Sequence, residues 1–103
     1  MRSCVTCGMP LEGAHEGDVG METAEGPVCS FDIDGGVVRD GSAIFEGGVA
    51  FFQGEVADGD RGLAERLTRK NMAALPYWIA RPFAELEGEK ATDEEWAACM
   101  ARL

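Results

Sequence analysis

Residues 4–11 read Cys4-Val5-Thr6-Cys7-Gly8-Met9-Pro10-Leu11, and this stretch determines how the first third of the chain can fold. Two cysteines separated by two residues can direct both sulfurs at one ion. The glycine that follows them permits a tight backbone turn, because it has no Cβ to clash. The spacing therefore predicts a zinc knuckle, which is one half of a four-ligand zinc site, with Met9-Pro10-Leu11 packed over it as a small apolar lid.

A second half-site follows at Cys29-Ser30-Phe31-Asp32, where a carboxylate stands in the place of the fourth cysteine. The two halves are separated by 21 residues, close to the roughly 15–20 residues typical of a zinc module. An aspartate oxygen can coordinate zinc at about 2.0–2.2 Å, against about 2.3 Å for sulfur. We predict a zinc site whose ligands are Cys4, Cys7, Cys29 and Asp32. Alternatives to Asp32 as the last ligand are His15, Asp34, Cys99 or a water molecule.

The chain has 103 residues and 14 glycines, and its first third carries few large apolar side chains. A segment of this kind has too little core to fold without a further constraint. A structural zinc ion supplies about 10–16 kcal/mol of apparent binding free energy, which acts as folding free energy. We therefore expect the ion to stabilise the N-terminal segment.

The formal net charge of −10, from 19 acidic and 9 basic residues, argues against direct contact with a phosphate backbone. The basic residues Arg66, Arg69 and Lys70 are interpreted as a solvated helix face. No apolar leader follows Met1 and no stretch reaches the roughly 20 apolar residues of a membrane span. We expect a cytoplasmic protein with reduced thiols and no membrane association.

The pattern along the chain predicts an α+β fold with a zinc-ribbon module at 1–40 and a helical extension at 41–103. Residues 12–27 are rich in glycine and acids and predict a long loop with at most one short hairpin. Phe31, Ile33, Val37 and Val38 predict short strands around the Gly35-Gly36 turn.

About three helices are expected in the extension. Apolar spacing predicts a helix over 40–56, capped by Asp40 or Ser42, in which the Gly47-Gly48 pair indicates close packing against another element. A second helix is predicted over 58–75, with an apolar stripe ended by Pro76; the stripe comprises Leu63, Leu67, Ala74 and Leu75. Residues 77–83 form an aromatic connector, interpreted as core or lid. A third helix is predicted over 92–103, with a Thr92/Glu95 capping box and Cys99 in the core.

On these residues the chain resembles a family of small prokaryotic zinc-ribbon proteins that open with CxxCGMPL and carry a later CxxC. The opening motif is complete at 4–11, the second motif is broken by Asp32, and residues 71–78 resemble the family's helix that ends in a Pro-x-Trp stretch. The resemblance covers about residues 2–78. It implies metal binding at Cys4, Cys7 and Cys29. Asp32 stands at the position of the family's last cysteine, where this sequence departs from the pattern. Some relatives are attached to transcriptional regulators.

The leading functional hypothesis is a non-catalytic structural zinc protein that acts as a small interaction or regulatory module, with another protein or itself as partner. One alternative is a zinc-dependent hydrolase or deaminase-like enzyme with an open metal position. His15-Glu16 lacks the intervening residue of the deaminase HxE motif, and Pro27-Val28-Cys29 is not PCxxC. Further alternatives are a transcription-associated nucleic-acid binder and a thiol or iron redox protein.

Overall fold

The N-terminal part of the chain forms two small antiparallel sheets of two strands each. The computed structural model describes residues 2–103. Strand β1 (Val19–Thr23) pairs with β2 (Gly26–Cys29), and β3 (Ile33–Asp34) pairs with β4 (Val37–Val38). The second hairpin turns through Gly35 and Gly36, whose φ angles of 60° and 81° suit residues without a Cβ. The predicted short strands are confirmed at Ile33, Val37 and Val38, whereas Phe31 lies in a 3-10 turn over Ser30–Asp32. The loop over 12–27 contains one hairpin strand, β1, and the start of its partner.

The first knuckle is a hydrogen-bonded turn. The amide of Gly8 donates to the carbonyl of Cys4 at 2.8 Å, and the amide of Cys4 donates to the carbonyl of Met9 at 2.8 Å. Gly8 has a φ of 80°, which explains the glycine after the second cysteine. Leu11 is buried against the cysteines, Met9 packs beside it, and Pro10 is exposed, so two of the three expected lid residues cover the knuckle.

Four helices follow the strands. Helix α1 is Gly41–Glu55, α2 is Arg61–Ala73, α3 is the single turn Pro76–Ile79, and α4 is Asp93–Met100. Asp60 caps α2 by accepting from the amide of Leu63, and the predicted capping box of Thr92 and Glu95 is formed at α4. The α+β architecture with strands before helices is confirmed. The connector after Pro76 is itself helical in its first turn, because proline is well suited to the first position of a helix.

The main core lies between α1, α2 and α4. Its apolar side chains include Phe45, Val49, Leu67, Met72, Trp78 and Cys99. Gly48 accounts for the close approach of α1 to α2, since a Cβ there would lie 2.8 Å from the Thr68 methyl. Gly47 makes no such contact, so only one glycine of the pair serves packing.

Helix α2 confirms most of the predicted stripe. Leu67 is fully buried, Leu63 and Leu75 are partly buried against the core, and the helix also buries Ala64, Thr68 and Met72. Ala74, by contrast, is exposed. The reason is that α2 ends at Ala73, so Ala74 is a C-cap residue and no longer follows the helical period.

The basic residues of α2 are committed to contacts within the chain. Arg66 pairs with Glu95 at 2.8 Å, and Lys70 pairs with Asp93 at 2.7 Å. Arg69 donates to the carbonyls of Glu85 and Glu89. These residues therefore bind the segment before α4 and α4 itself to α2, which is a more specific role than the solvated face that the sequence indicated. Among residues 2–103, no helix is long and apolar enough to cross a membrane.

Two side chains of the helical part hold the first knuckle. The indole nitrogen of Trp78 donates to the carbonyl of Thr6 at 2.9 Å in the interior. The amide nitrogen of Asn71 donates to the carbonyl of Cys7 at 2.8 Å. These bonds satisfy carbonyls that the knuckle turn leaves without a backbone partner, and they fix the knuckle against α2 and α3.

Candidate metal centre

Two stretches of backbone, distant in sequence, bring together the four residues predicted as ligands. Cys4 and Cys7 lie in the first knuckle, Cys29 ends β2, and Asp32 ends a 3-10 turn over Ser30–Asp32. One ligand atom from each of these four residues lies within 4.8 Å of every other, so the group could hold a metal ion. Cys4, Cys29 and Asp32 are buried, and Cys7 is partly exposed.

The donor atoms are close but not bonded to one another. The Cys7 and Cys29 sulfurs are 3.8 Å apart, and the Cys4 sulfur lies 3.6 Å from Oδ2 of Asp32. A disulfide would need a sulfur separation of about 2.05 Å. The four cysteines, all among residues 2–103, are free.

Thr6, between the two cysteines of the first knuckle, supports the carboxylate. Its hydroxyl donates to Oδ2 of Asp32 at 2.6 Å and lies 3.0 Å from the Cys4 sulfur. Thr6 is fully buried. A hydrogen bond from a neighbouring group fixes the orientation of a ligand oxygen, so Thr6 acts as an outer-shell residue of the cluster.

The Cys4 sulfur is the acceptor of the cluster. Hydrogen bonds from the thiols of Cys29 and Cys7 lower the pKa of Cys4, and the Thr6 hydroxyl and the Cys29 amide, at 3.2 Å, add to this effect. Several donors directed at one sulfur stabilise its thiolate form.

The other two thiols favour their protonated form when no cation is near. Hydrogen bonding to Cys29 and to Cys4 raises the pKa of Cys7, and hydrogen bonding to Cys4 raises the pKa of Cys29 to about 12. Burial raises the pKa of Asp32. Four negative charges cannot lie this close in a buried site without a cation, and a bound cation would remove those protons.

The alternative ligands lie elsewhere. His15 is on the loop surface, where its Nδ1 is 2.8 Å from Asp18, and Asp34 is exposed on β3. Cys99 is buried in the main core, as its helical spacing predicted. None of the three belongs to the cluster that the described residues form.

Sequence reasoning did not find the supporting residues. Thr6 occupies a variable position of the CxxC motif, and neither its identity nor its spacing distinguishes it from a solvated residue. Trp78 and Asn71 are 72 and 64 residues from the carbonyls they bind. The only sequence indication was the similarity of residues 71–78 to the helix of the zinc-ribbon family.

A scan of protein-family models, a search of curated proteins and a search of solved structures each returned no match. The cluster of Cys4, Cys7, Cys29 and Asp32 is compatible with the zinc site that the family resemblance implies. Membership of that family therefore stays a resemblance.

Proposed function

We propose that this chain binds one zinc ion through Cys4, Cys7, Cys29 and Asp32, and that the ion has a structural role in a small protein-interaction module. The observation that carries this proposal is the convergence of three sulfurs and one carboxylate oxygen from two stretches of chain that are distant in sequence. Thiolate-rich sets of four ligands are typical of structural zinc, and soft sulfur donors disfavour magnesium and calcium.

Two of the six distances between donors match those of a tetrahedral ion, and all six are within 4.8 Å. With Zn–S of about 2.3 Å and Zn–O of about 2.0–2.2 Å, two sulfurs lie about 3.8 Å apart, and a sulfur and an oxygen lie about 3.5–3.7 Å apart. The Cys7–Cys29 separation of 3.8 Å and the Cys4–Asp32 separation of 3.6 Å agree with these edges. A full set of four protein ligands leaves no position for an activated water, which supports a structural role over a catalytic one.

Charge supports a protein rather than a nucleic acid as the partner. Of the nine basic side chains, six form ion pairs with acids of the same chain. Most basic side chains are therefore paired within the chain, and few unpaired ones lie among the acidic groups that give the net charge of −10. Such a surface repels phosphate and attracts basic partners.

The test is metal content, measured by mass spectrometry on protein purified without added chelator. We expect about one zinc per chain, lost in Asp32→Ala and retained in His15→Ala. Cys99→Ser is the matched control for Cys29→Ser, because both remove one buried thiol and only Cys29 belongs to the cluster. Folded protein with no metal, or zinc retained by both Asp32→Ala and Cys29→Ser, would contradict the proposal.

A further inference from the structure

An apolar cavity of about 530 Å³ opens beside the candidate metal centre. One wall is the first knuckle, residues 7–10, together with Cys29 and Phe31. The opposite wall comes from α1, α2 and α4, and its large side chains include Phe51, Phe52, Met72, Trp96 and Met100. Two independent parts of the fold thus meet around a space that neither of them fills.

This cavity, called the groove below, has large apolar side chains exposed along its rim. Phe31 is 62% exposed, Phe51 is 51% exposed and Leu103 is 66% exposed. Clustered apolar exposure of this kind marks interaction sites. Three methionines, Met9, Met72 and Met100, add flexible and polarisable contacts to the lining, as at surfaces that accept apolar helix faces.

Gly47 is accounted for by the groove. It lies in the middle of α1, where glycine lowers helix stability relative to alanine. A Cβ at Gly47 would meet no atom within 4 Å, so packing does not require the glycine. Gly47 lines the cavity, and any side chain there would project into or beside the space. The absence of a side chain at Gly47 therefore keeps the groove open.

The residues that line the groove are uncharged, so the charge of its occupant is inferred from an acid beside the groove and from the chain as a whole. Glu55 lies one turn after Phe51 on the same face of α1, is exposed, and forms no ion pair in the part of the chain described. The whole chain carries a net charge of −10. An apolar groove within an acidic surface favours an amphipathic helix with basic residues beside its apolar face, and it disfavours acidic ligands such as fatty acids.

We propose that this groove binds a basic amphipathic helix of a partner protein. The inference rests on the proposed function, whose interaction role it specifies. The apolar face of the partner helix would pack on Phe51, Trp96 and the partly exposed Met9 and Met100, with its lysines or arginines directed at Glu55. Cys7 and Cys29 belong to one wall of the groove, so a metal ion held there would shape the site.

The probe is a synthetic peptide of about 14 residues, about 21 Å long as a helix, with leucine at i, i+3, i+4 and i+7 and lysine elsewhere. Its affinity is measured by calorimetry for the zinc-loaded chain and for Gly47→Leu, which fills the groove. Gly54→Leu is the matched control, since Gly54 is on the same helix, is equally free of neighbours and lies outside the lining.

We expect Gly47→Leu to raise Kd at least about tenfold and Gly54→Leu to leave it unchanged. Glu55→Gln should raise Kd for the lysine peptide, and a peptide with glutamate in place of lysine should bind at least about tenfold more weakly. Equal affinities of wild type and Gly47→Leu, or of the two peptides, would overturn the proposal.

Two further measurements separate the outcomes. In sedimentation velocity, a dimer that Gly47→Leu dissociates would assign the groove to a second copy of the chain and would also overturn the proposal. Metal content is measured on the same samples. Peptide binding that depends on Gly47 in a chain without zinc would support the groove while contradicting the metal assignment, so the two proposals can fail separately.

Discussion

The hydroxyl of Thr6 provides the sharpest test of the candidate metal centre. Thr6→Val keeps the shape of the side chain and removes the hydroxyl that donates to Oδ2 of Asp32 at 2.6 Å. The site is buried, so no water replaces the lost donor freely. The carboxylate then loses a hydrogen bond to its charged form, which is the form that a metal ion requires.

Two estimates give the same magnitude. Removal of an outer-shell partner lowers metal affinity by about 10–100-fold, which is about 1.4–2.7 kcal/mol. A hydrogen bond to a charged acceptor contributes about 1.5–3 kcal/mol. We therefore expect Thr6→Val to raise the Kd for zinc by about one to two orders of magnitude. Thr6→Ser, which keeps the hydroxyl, should restore much of the affinity.

The assay is competition for zinc against a chromophoric chelator at fixed neutral pH. Thr68→Val is the matched control, because Thr68 is equally buried and its hydroxyl donates to the carbonyl of Ala64 at 2.8 Å in α2. That variant should change stability without changing zinc affinity. Wild-type affinity in Thr6→Val, or an equal loss in Thr68→Val, would refute the outer-shell role.

Three more predictions follow from the same contacts. Zinc affinity should decrease as the pH is lowered, because zinc must displace protons from Cys7 and Cys29, whose pKa values are raised. Cys4, whose pKa is lowered, should contribute less to this effect. Log Kd should therefore rise by about two per unit fall in pH between the ordinary carboxyl and thiol pKa values, and a slope near zero by the same competition assay would contradict the raised pKa values of Cys7 and Cys29. Removal of zinc with EDTA should lower the thermal midpoint measured by far-ultraviolet circular dichroism, a signal dominated by the helices; an unchanged midpoint would mean that the ribbon and the helices fold independently. Trp78→Phe should destabilise the chain by about 1–3 kcal/mol in urea titration, because the buried carbonyl of Thr6 loses its donor. Tyr77→Phe, the neighbouring control, should change stability by less than about 0.5 kcal/mol.

Local patterns predicted the elements that short-range chemistry determines. The CxxC motif with its following glycine predicted the first knuckle, and Thr92 with Glu95 predicted the start of α4. In both cases the deciding contacts lie within a few residues of one another. The sequence also predicted Asp32 as a candidate ligand, because Asp32 lies three residues after Cys29, where the second cysteine of a CxxC motif would lie.

Features that depend on distant contacts were not predictable. The exposure of Ala74 depends on where α2 ends, and the ion pairs of Arg66 and Lys70 depend on how α4 crosses α2. The groove exists because the knuckle and the helices meet at a particular distance, and no local pattern encodes that distance. Gly47 could be noticed in the sequence, but its role could not be assigned there. The division into 1–40 and 41–103 stays a prediction, and the bonds from Trp78 and Asn71 cross it.

The aspartate in the second half-site is best understood together with Thr6. A carboxylate oxygen accepts a hydrogen bond from a hydroxyl more strongly than a sulfur does, and the Thr6 hydroxyl is directed at Oδ2 of Asp32. Three thiolates and one carboxylate carry the same charge as four thiolates, so the exchange leaves the electrostatic demand for a divalent cation unchanged. The harder oxygen would weaken the grip on zinc, and the hydroxyl offsets this by holding the carboxylate charged and oriented. The carbonyl of Thr6 in turn accepts a hydrogen bond from Trp78. Through Thr6, the aspartate that replaces a cysteine of CxxC is therefore connected to the helical core.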